Sequence, residues 1–314
     1  MECQLCPRRC PVDRKGGERG FCGMTEDVFV ARVAPHFWEE PCISGTNGSG
    51  TVFFSGCNLR CVYCQNYKIA AGKAGRRMSV EELAAAFLSL QEQGCHNLNL
   101  VTPGHFAPQI AEALRLAKPN IPVVYNTSSY ECVQTLRNLE GLVDIYLADL
   151  KYPDAELSKR YSHAADYPEI AKAAIDEMVR QTGGVEYICT PEAEVGHGKG
   201  SESACKVVKN ATEYPDGALM RRGVIVRHLL LPGRVEEAKQ VLRYLYETYK
   251  DTVAVSILNQ YTPLPHVAAY PELNRKVTEE EYEEVVEFAL ELGIGHGFLQ
   301  EGQAADESFI PEFL

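Results

Sequence analysis

The sequence predicts an α/β protein, a partial (βα)6 barrel preceded by a small Cys-rich extension, and three observations carry that expectation. After residue 50, short β-type apolar runs alternate with helical stretches, the pattern of a parallel sheet with crossover helices. Six such units can be counted, which suits an incomplete barrel, with an open doubly wound sheet as the other solution of the pattern. Residues 1–50 lack the alternation and are rich in Cys and Gly.

The six predicted strands are 51–56 (TVFFSG), 97–102 (NLNLVT), 121–126 (IPVVYN), 143–149 (VDIYLAD), 223–229 (GVIVRHL) and 253–258 (VAVSIL). A helix candidate follows each. The clearest are SVEELAAAFLSLQEQG, opened by Ser79 with Glu82 at the capping-box position, and TEEEYEEVVEFALELG, opened by Thr278 and closed by Gly293. The expected division is a metal-binding extension over 1–50 and a barrel over 51–314, interrupted by a polar insertion at 183–217. Within that insertion, Cys189, His197 and Cys205 stay open between surface and functional roles.

Composition narrows the function classes. With 314 residues, 45% apolar and 24% charged, the chain reads as an ordinary soluble protein. It has no run of 18 apolar residues and begins with a polar, basic stretch, so neither a membrane span nor a signal peptide is expected, and the expected compartment is the cytoplasm. A net charge of -12 argues against general affinity for nucleic acid or anionic membrane. The basic group Arg8, Arg9, Arg14, Lys15 and Arg19 is the one candidate for a local basic patch of that kind, and surface solvation explains it equally well. Eight of the 12 cysteines fall in the first 64 residues, and clustered thiols in a reducing compartment suggest metal rather than disulfides. Cys95 and Cys132 read as small buried residues.

Directly after the first predicted strand, Cys57, Cys61 and Cys64 form Cys-x3-Cys-x2-Cys on a loop at the face where βα proteins place their active sites. Iron-sulfur clusters usually take four cysteines, so three leave one iron open for a non-protein ligand. Zinc with a fourth ligand from elsewhere is the rival on spacing alone, and the strand-end position weighs toward the cluster. Cys3, Cys6, Cys10 and Cys22 supply four more thiols among Gly16, Gly17, Gly20 and Gly23, a second site for zinc or an auxiliary iron-sulfur cluster.

The motif, with Tyr63 as the aromatic residue before its last Cys, resembles that of the radical SAM superfamily. Within it the chain looks most like the pyruvate formate-lyase-activating-enzyme-like group, in the branch with extra N-terminal cysteines. The resemblance covers nearly the whole chain and rests on CQLCPRRC, GFCG, EEPCISGTNGSGTVFFSGCNLRCVYCQN, LVTPGHF, VYNTSSYE, DLKYPD, RHLLLPG, LNQYTP and GFLQEGQAADESFIPEF. It implies a barrel of the radical SAM type, a 4Fe-4S cluster on Cys57, Cys61 and Cys64, and S-adenosylmethionine (SAM) on the open iron, cleaved to a 5′-deoxyadenosyl radical that abstracts hydrogen. It also implies an electron donor such as flavodoxin or ferredoxin.

The remaining strand ends supply the expected cofactor contacts. Thr102, Gly104 and His105 stand where relatives carry a Gly-Gly-Glu segment, a departure, and a plain Pro-Gly turn is the competing reading. Asn126 and Thr127 follow the third strand, with a turn-capping role as the alternative. Asp149 and Lys151, two apart and so on one face, resemble the Asp-x-Lys motif of activating enzymes. Arg227 is expected to fork onto the SAM carboxylate, and Gln260 and Tyr261 to complete the ring, while His228, pointing the other way, reads as a core histidine. Three functions follow: activation of a glycyl-radical enzyme, radical attack on another peptide or a small metabolite, and an iron-sulfur electron carrier without SAM chemistry.

Overall fold

The computed structural model describes residues 2–72, 74–189, 206–209, 211, 214–215 and 217–300. Its elements in chain order are β1 (Val28–His36), α1 (Pro41–Ser44), β2 (Ser49–Phe54), α2 (Tyr67–Ala70), β3 (Arg76–Met78), α3 (Val80–Glu92), β4 (Leu98–Val101), α4 (Ala107–Ala117), β5 (Val123–Thr127) and α5 (Val133–Arg137). There follow β6 (Ile145–Asp149), α6 (Ala155–Ser162), α7 (Tyr167–Thr182), β7 (Glu186–Cys189), β8 (Lys206–Lys209), β9 (Leu219–Leu229), α8 (Val235–Tyr249), β10 (Ala254–Leu258), α9 (Glu279–Leu292) and β11 (Gly297–Leu299).

All six predicted strands form, as β2, β4, β5, β6, β9 and β10, and they lie side by side in that order, every neighbour parallel. The short β11 extends one edge in parallel, and β1 then β3 extend the other antiparallel. Both capping boxes form: Ser79 with Glu82 opens α3, and Thr278 with Glu281 opens α9, which Gly293 ends in the left-handed region.

The long helices lie on one face of the sheet. Val52, Phe54, Leu98 and Leu100 pack with Leu83 and Phe87 of α3 and Ile110 of α4, while Tyr146, Val224, Val226 and Val255 pack with helices α7 and α8. The alternate residues Val124, Ile145, Leu147, Ile225 and Ala254 turn inward and meet each other, Cys42 and Ile43 of α1, and Tyr187 of β7. A doubly wound sheet would have helices layered on both faces. Here the inner face closes on itself, so the sheet curves as a partial barrel.

The division at residue 50 is corrected. Val30 to His36 pair with Ser49 to Phe54, so the sheet crosses that position and the Cys-rich part ends before β1. In the insertion, β7 pairs antiparallel with β8 and with the first half of β9. His197 and Cys205, with the closing segment 301–314, lie outside the described residues. Among the described residues no helix is long and apolar enough to cross a membrane.

Candidate functional site

The three-cysteine loop leaves the C-terminal end of β2 through Gly56 at φ 87°, where a Cβ would stand 2.7 Å from the Cys22 carbonyl and 2.6 Å from the Met24 side chain. Glycine is therefore required because the N-terminal segment presses on the loop. Leu59 is fully buried as the loop's anchor, Asn58 donates its amide to the Tyr130 carbonyl at 2.7 Å, and Val62 N–H donates to the Tyr161 carbonyl at 2.8 Å. Arg60 holds a left-handed φ of 53°, a conformation a non-glycine residue keeps only where its surroundings over-determine it.

Cys57, Cys61 and Cys64 are free and half-buried. Burial pushes the Cys61 and Cys64 thiols up, each also feeling the neighbouring sulfurs, so metal binding has to expel protons. Two features offset that cost at Cys61. The Ser162 hydroxyl donates to its sulfur at 2.9 Å, and the Lys151 ammonium lies near enough to favour the thiolate. Each hydroxyl has one proton, so Ser162 spends its own on Cys61 and accepts from Tyr152 at 2.6 Å, which in turn accepts from Tyr63 at 2.7 Å. Tyr63 thus acts on the cysteines through a directed chain of buried hydroxyls.

Lys151 pairs with Asp149 at 2.5 Å, the two side chains 15% and 24% exposed. Burial opposes the ammonium, but Asp149 and Cys61 outweigh it and hold the Lys151 pKa above its ordinary value. This pair and two thiols therefore share one corner of the barrel mouth, as the two-residue spacing requires.

Arg227 sits elsewhere than the sequence suggests. Its guanidinium is forked onto Glu39 (2.5 Å) and Glu40 (Nε to Oε1 2.8 Å) rather than left free for an incoming carboxylate. Burial alone would push Glu40 up, and Arg227 outweighs it and holds the carboxyl below the usual range. Asn99 and Asn126 donate to the same Glu39 oxygen at 2.9 and 3.4 Å, so Asn126 is a member of this interior layer. Glu39 and Glu40 have no role predicted from the sequence, and it is their burial against a strand arginine that marks them.

At the end of β4, Thr102 takes a φ of 57°, a conformation a β-branched residue rarely adopts, and its N–H donates to the Asn126 carbonyl at 2.9 Å. Gly104 packs on the Glu131 carboxyl, 2.3 Å from where a Cβ would stand, and Thr127 donates to that carboxyl at 2.7 Å. Burial lifts Glu131 to about 7, and its Oε2 has no hydrogen-bond partner. His105 is buried beside the start of the loop: it donates to the Ser55 carbonyl at 2.7 Å, and burial lowers it to about 4. Tyr261 gives its hydroxyl to the Leu273 carbonyl at 2.6 Å, and its ring stands 6.1 Å from that of Tyr63. The Gln260 side chain accepts from Gln300 at 3.4 Å. His228 donates to the Leu150 carbonyl at 2.8 Å, as expected of a core histidine.

The N-terminal cysteines sit in a segment without helix or strand. Cys3 N–H bonds the Cys10 carbonyl at 3.0 Å, and a Cβ on Gly20 would stand 3.3 and 3.8 Å from the sulfurs of Cys10 and Cys22. Burial pushes Cys6 up to about 12 and raises Cys22. Among the described residues no three His, Cys, Asp or Glu side chains stand close enough to hold a single metal ion as they are. By donor chemistry Cys57, Cys61 and Cys64, with an ammonium and a hydroxyl beside Cys61, fit an iron-sulfur cluster that takes three thiolates. The N-terminal four suit either metal by donor chemistry.

Residues 51–189 match the family model described as the Radical SAM superfamily. A Methanocaldococcus jannaschii relative, "Uncharacterized protein MJ0674", is 27% identical over 296 residues, covering 91% of this chain and 74% of the relative. Among solved structures, Streptococcus suis SuiB bound to its precursor peptide SuiA aligns at 11% identity with a TM-score of 0.48, over 79% of this chain and 47% of SuiB, so the chain spans about half of that protein. A domain of the pyruvate-formate lyase-activating enzyme from Bacteroides vulgatus aligns at 11% identity with a TM-score of 0.37, over 63% of this chain and 91% of that domain. The matched residues 51–189 carry the three-cysteine loop and the strands behind it, and in that part the chain is similar to the radical SAM superfamily.

Proposed function

We propose that this protein cleaves SAM reductively at a 4Fe-4S cluster held by Cys57, Cys61 and Cys64, and turns the resulting radical on a substrate by hydrogen abstraction. The observation that carries this reading is the corner where the Lys151 ammonium and the Ser162 hydroxyl both address Cys61 at the C-terminal end of a parallel strand. When bound, such a cluster supplies the electron that splits SAM into methionine and a 5′-deoxyadenosyl radical. The protein's part is to position and to shield. Lys151 offers a cation to the SAM carboxylate while Asp149 orients it, and the Tyr63, Tyr152 and Ser162 hydroxyls steady the sulfur of Cys61. The electron comes from a small donor such as flavodoxin or ferredoxin.

The test is anaerobic reconstitution with iron and sulfide, reduction, and addition of SAM. 5′-Deoxyadenosine and methionine are expected from the wild type, and Cys57→Ser, Cys61→Ser and Cys64→Ser should each lower the yield by about 100-fold or more, a loss of the site rather than of one contact. Absence of both products under several reductants would leave an iron-sulfur carrier as the function. The resemblance to activating enzymes supplies the first substrate to try, a glycyl-radical partner protein co-expressed with this chain, followed by ribosomally made peptides and small metabolites.

A further inference from the structure

The CPRRC motif puts two arginines between Cys6 and Cys10, and the reaction as described uses neither. Arg9 lies beside a crevice of about 620 Å³ shared with Cys132 and Asp166. Arg8 reaches out of the N-terminal segment onto the three-cysteine loop. Its Nε donates to the Asn58 carbonyl at 2.8 Å, one residue after Cys57. Its other two nitrogens donate to the carbonyls of Ser162, at 3.1 Å, and His163. The guanidinium lies 4.0 Å from the centre of the Phe21 ring, which adjoins Cys22, and 5.2 Å from that of Tyr130.

Helix α6 ends at Ser162, and a helix leaves its last carbonyls without partners and carries partial negative charge there. The Val62 N–H takes the Tyr161 carbonyl, and Arg8 takes the next two. The same Ser162 sends its hydroxyl to the sulfur of Cys61. One guanidinium therefore ties the backbone beside Cys57 to the helix end that addresses Cys61. A planar fork with several donors can span three carbonyls, and the point charge of a lysine cannot. Arg60 stacks on the same Phe21 ring from the loop side, 5.2 Å from its centre, and the Gly56 backbone is pressed against the Cys22 carbonyl.

We propose that Arg8 is a positioning residue for the SAM-cleaving site, through which the N-terminal cysteine segment sets how Cys57 and Cys61 are presented to SAM. The inference rests on the proposed function of the three-cysteine loop. It assigns the extension a role in the reaction whichever metal it holds, because the tie runs through backbone carbonyls and not through the metal.

The test uses full-length protein reconstituted anaerobically, with SAM itself as the probe. Four quantities are read: the electron paramagnetic resonance spectrum of the reduced cluster before and after SAM, the SAM dissociation constant, metal per chain and the melting temperature. Arg8→Ala should blunt the SAM-induced spectral change and weaken SAM binding about tenfold, the scale of losing one charge-assisted contact network, with metal at the N-terminal cysteines retained. Arg8→Lys should recover part of both. Ser162→Ala should perturb the same spectrum from the far end of the tie. Arg19→Ala, whose guanidinium bonds the Gly23 carbonyl within the N-terminal segment, should match wild type. The inference is overturned if Arg8→Ala keeps the spectral change and binds SAM within about twofold of wild type, even with a lower melting temperature, since Arg8 would then be a stabilising contact alone. Should Arg8→Ala not fold, Arg8→Lys is judged by the same two readouts. A wild type whose spectrum ignores SAM would remove the proposed function, and this inference with it, before any Arg8 variant is measured.

Discussion

Two cysteine sets lie against each other at the mouth of the barrel, and they are held in opposite ways. Cys57, Cys61 and Cys64 sit on a loop that the protein itself braces, through buried Leu59, the Asn58–Tyr130 bond and the end of α6. Cys3, Cys6, Cys10 and Cys22 sit in a segment with glycine turns, a few backbone bonds and no helix or strand. A braced loop keeps its shape before metal arrives. A segment of the second kind has fewer such braces of its own, and a metal held by its four thiols would add folding free energy there.

The largest expected effect follows from that difference. Chelating metal from the reduced protein should speed proteolysis within residues 2–27 by about 10⁴-fold or more, while the barrel stays folded; limited proteolysis with mass spectrometry would show it. Equal resistance with and without chelator would mean that the N-terminal segment is braced as well as the loop.

Next in size, Arg227→Met should cost about 3–5 kcal/mol in denaturant unfolding, because it strands Glu39 and Glu40 in the barrel interior. Adding Glu39→Gln and Glu40→Gln to Arg227→Met should restore a good part of that loss. Gly104→Ala probes the seam between the two regions. Its Cβ would meet the Glu131 carboxyl at 2.3 Å, and a cost of about 1–3 kcal/mol is expected, with Glu131→Ala relieving some of it.

The smallest effect lies far from both cysteine sets. Hydrogen bonds from Arg180 hold Glu177 at about 2, below its ordinary value of 4.5. Its folded pKa is depressed, so its contribution is complete above about pH 4.5 and fades as pH falls toward 2. Glu177→Gln should lose roughly 1–2 kcal/mol at pH 7, discounted because Arg180 is half exposed, and the gap to wild type should narrow by pH 3. Urea unfolding at the two pH values would test it.

Much of this was legible in the sequence, for physical reasons. Parallel strands buried on both faces read as continuous apolar runs, so β2, β4, β5, β6, β9 and β10 were recoverable, and the caps at Ser79 and Thr278 mark their helices by local chemistry. The cysteine spacing and the Asp149–Lys151 pair were visible because their partners are near in sequence. Long-range partners were not. Glu39 and Glu40 look solvated until Arg227 is placed beside them, Ser162 looks like a helix residue until Cys61 meets it, and Arg8 looks like part of a basic surface patch. Antiparallel β1 was missed because it precedes the alternation and joins the sheet at its edge.

The strap that carries Glu39 and Glu40 also constrains the order of folding. Glu40 waits for an arginine 187 residues further along the chain, and Glu39 for the same one. As the chain emerges from a ribosome, β1 to β6 are made long before β9, and closing the interior early would bury two carboxylates with no cation. Closure of the interior around Glu39 and Glu40 is therefore expected to wait for β9, and a fragment ending before residue 227 should leave α1 and its preceding glutamates in water.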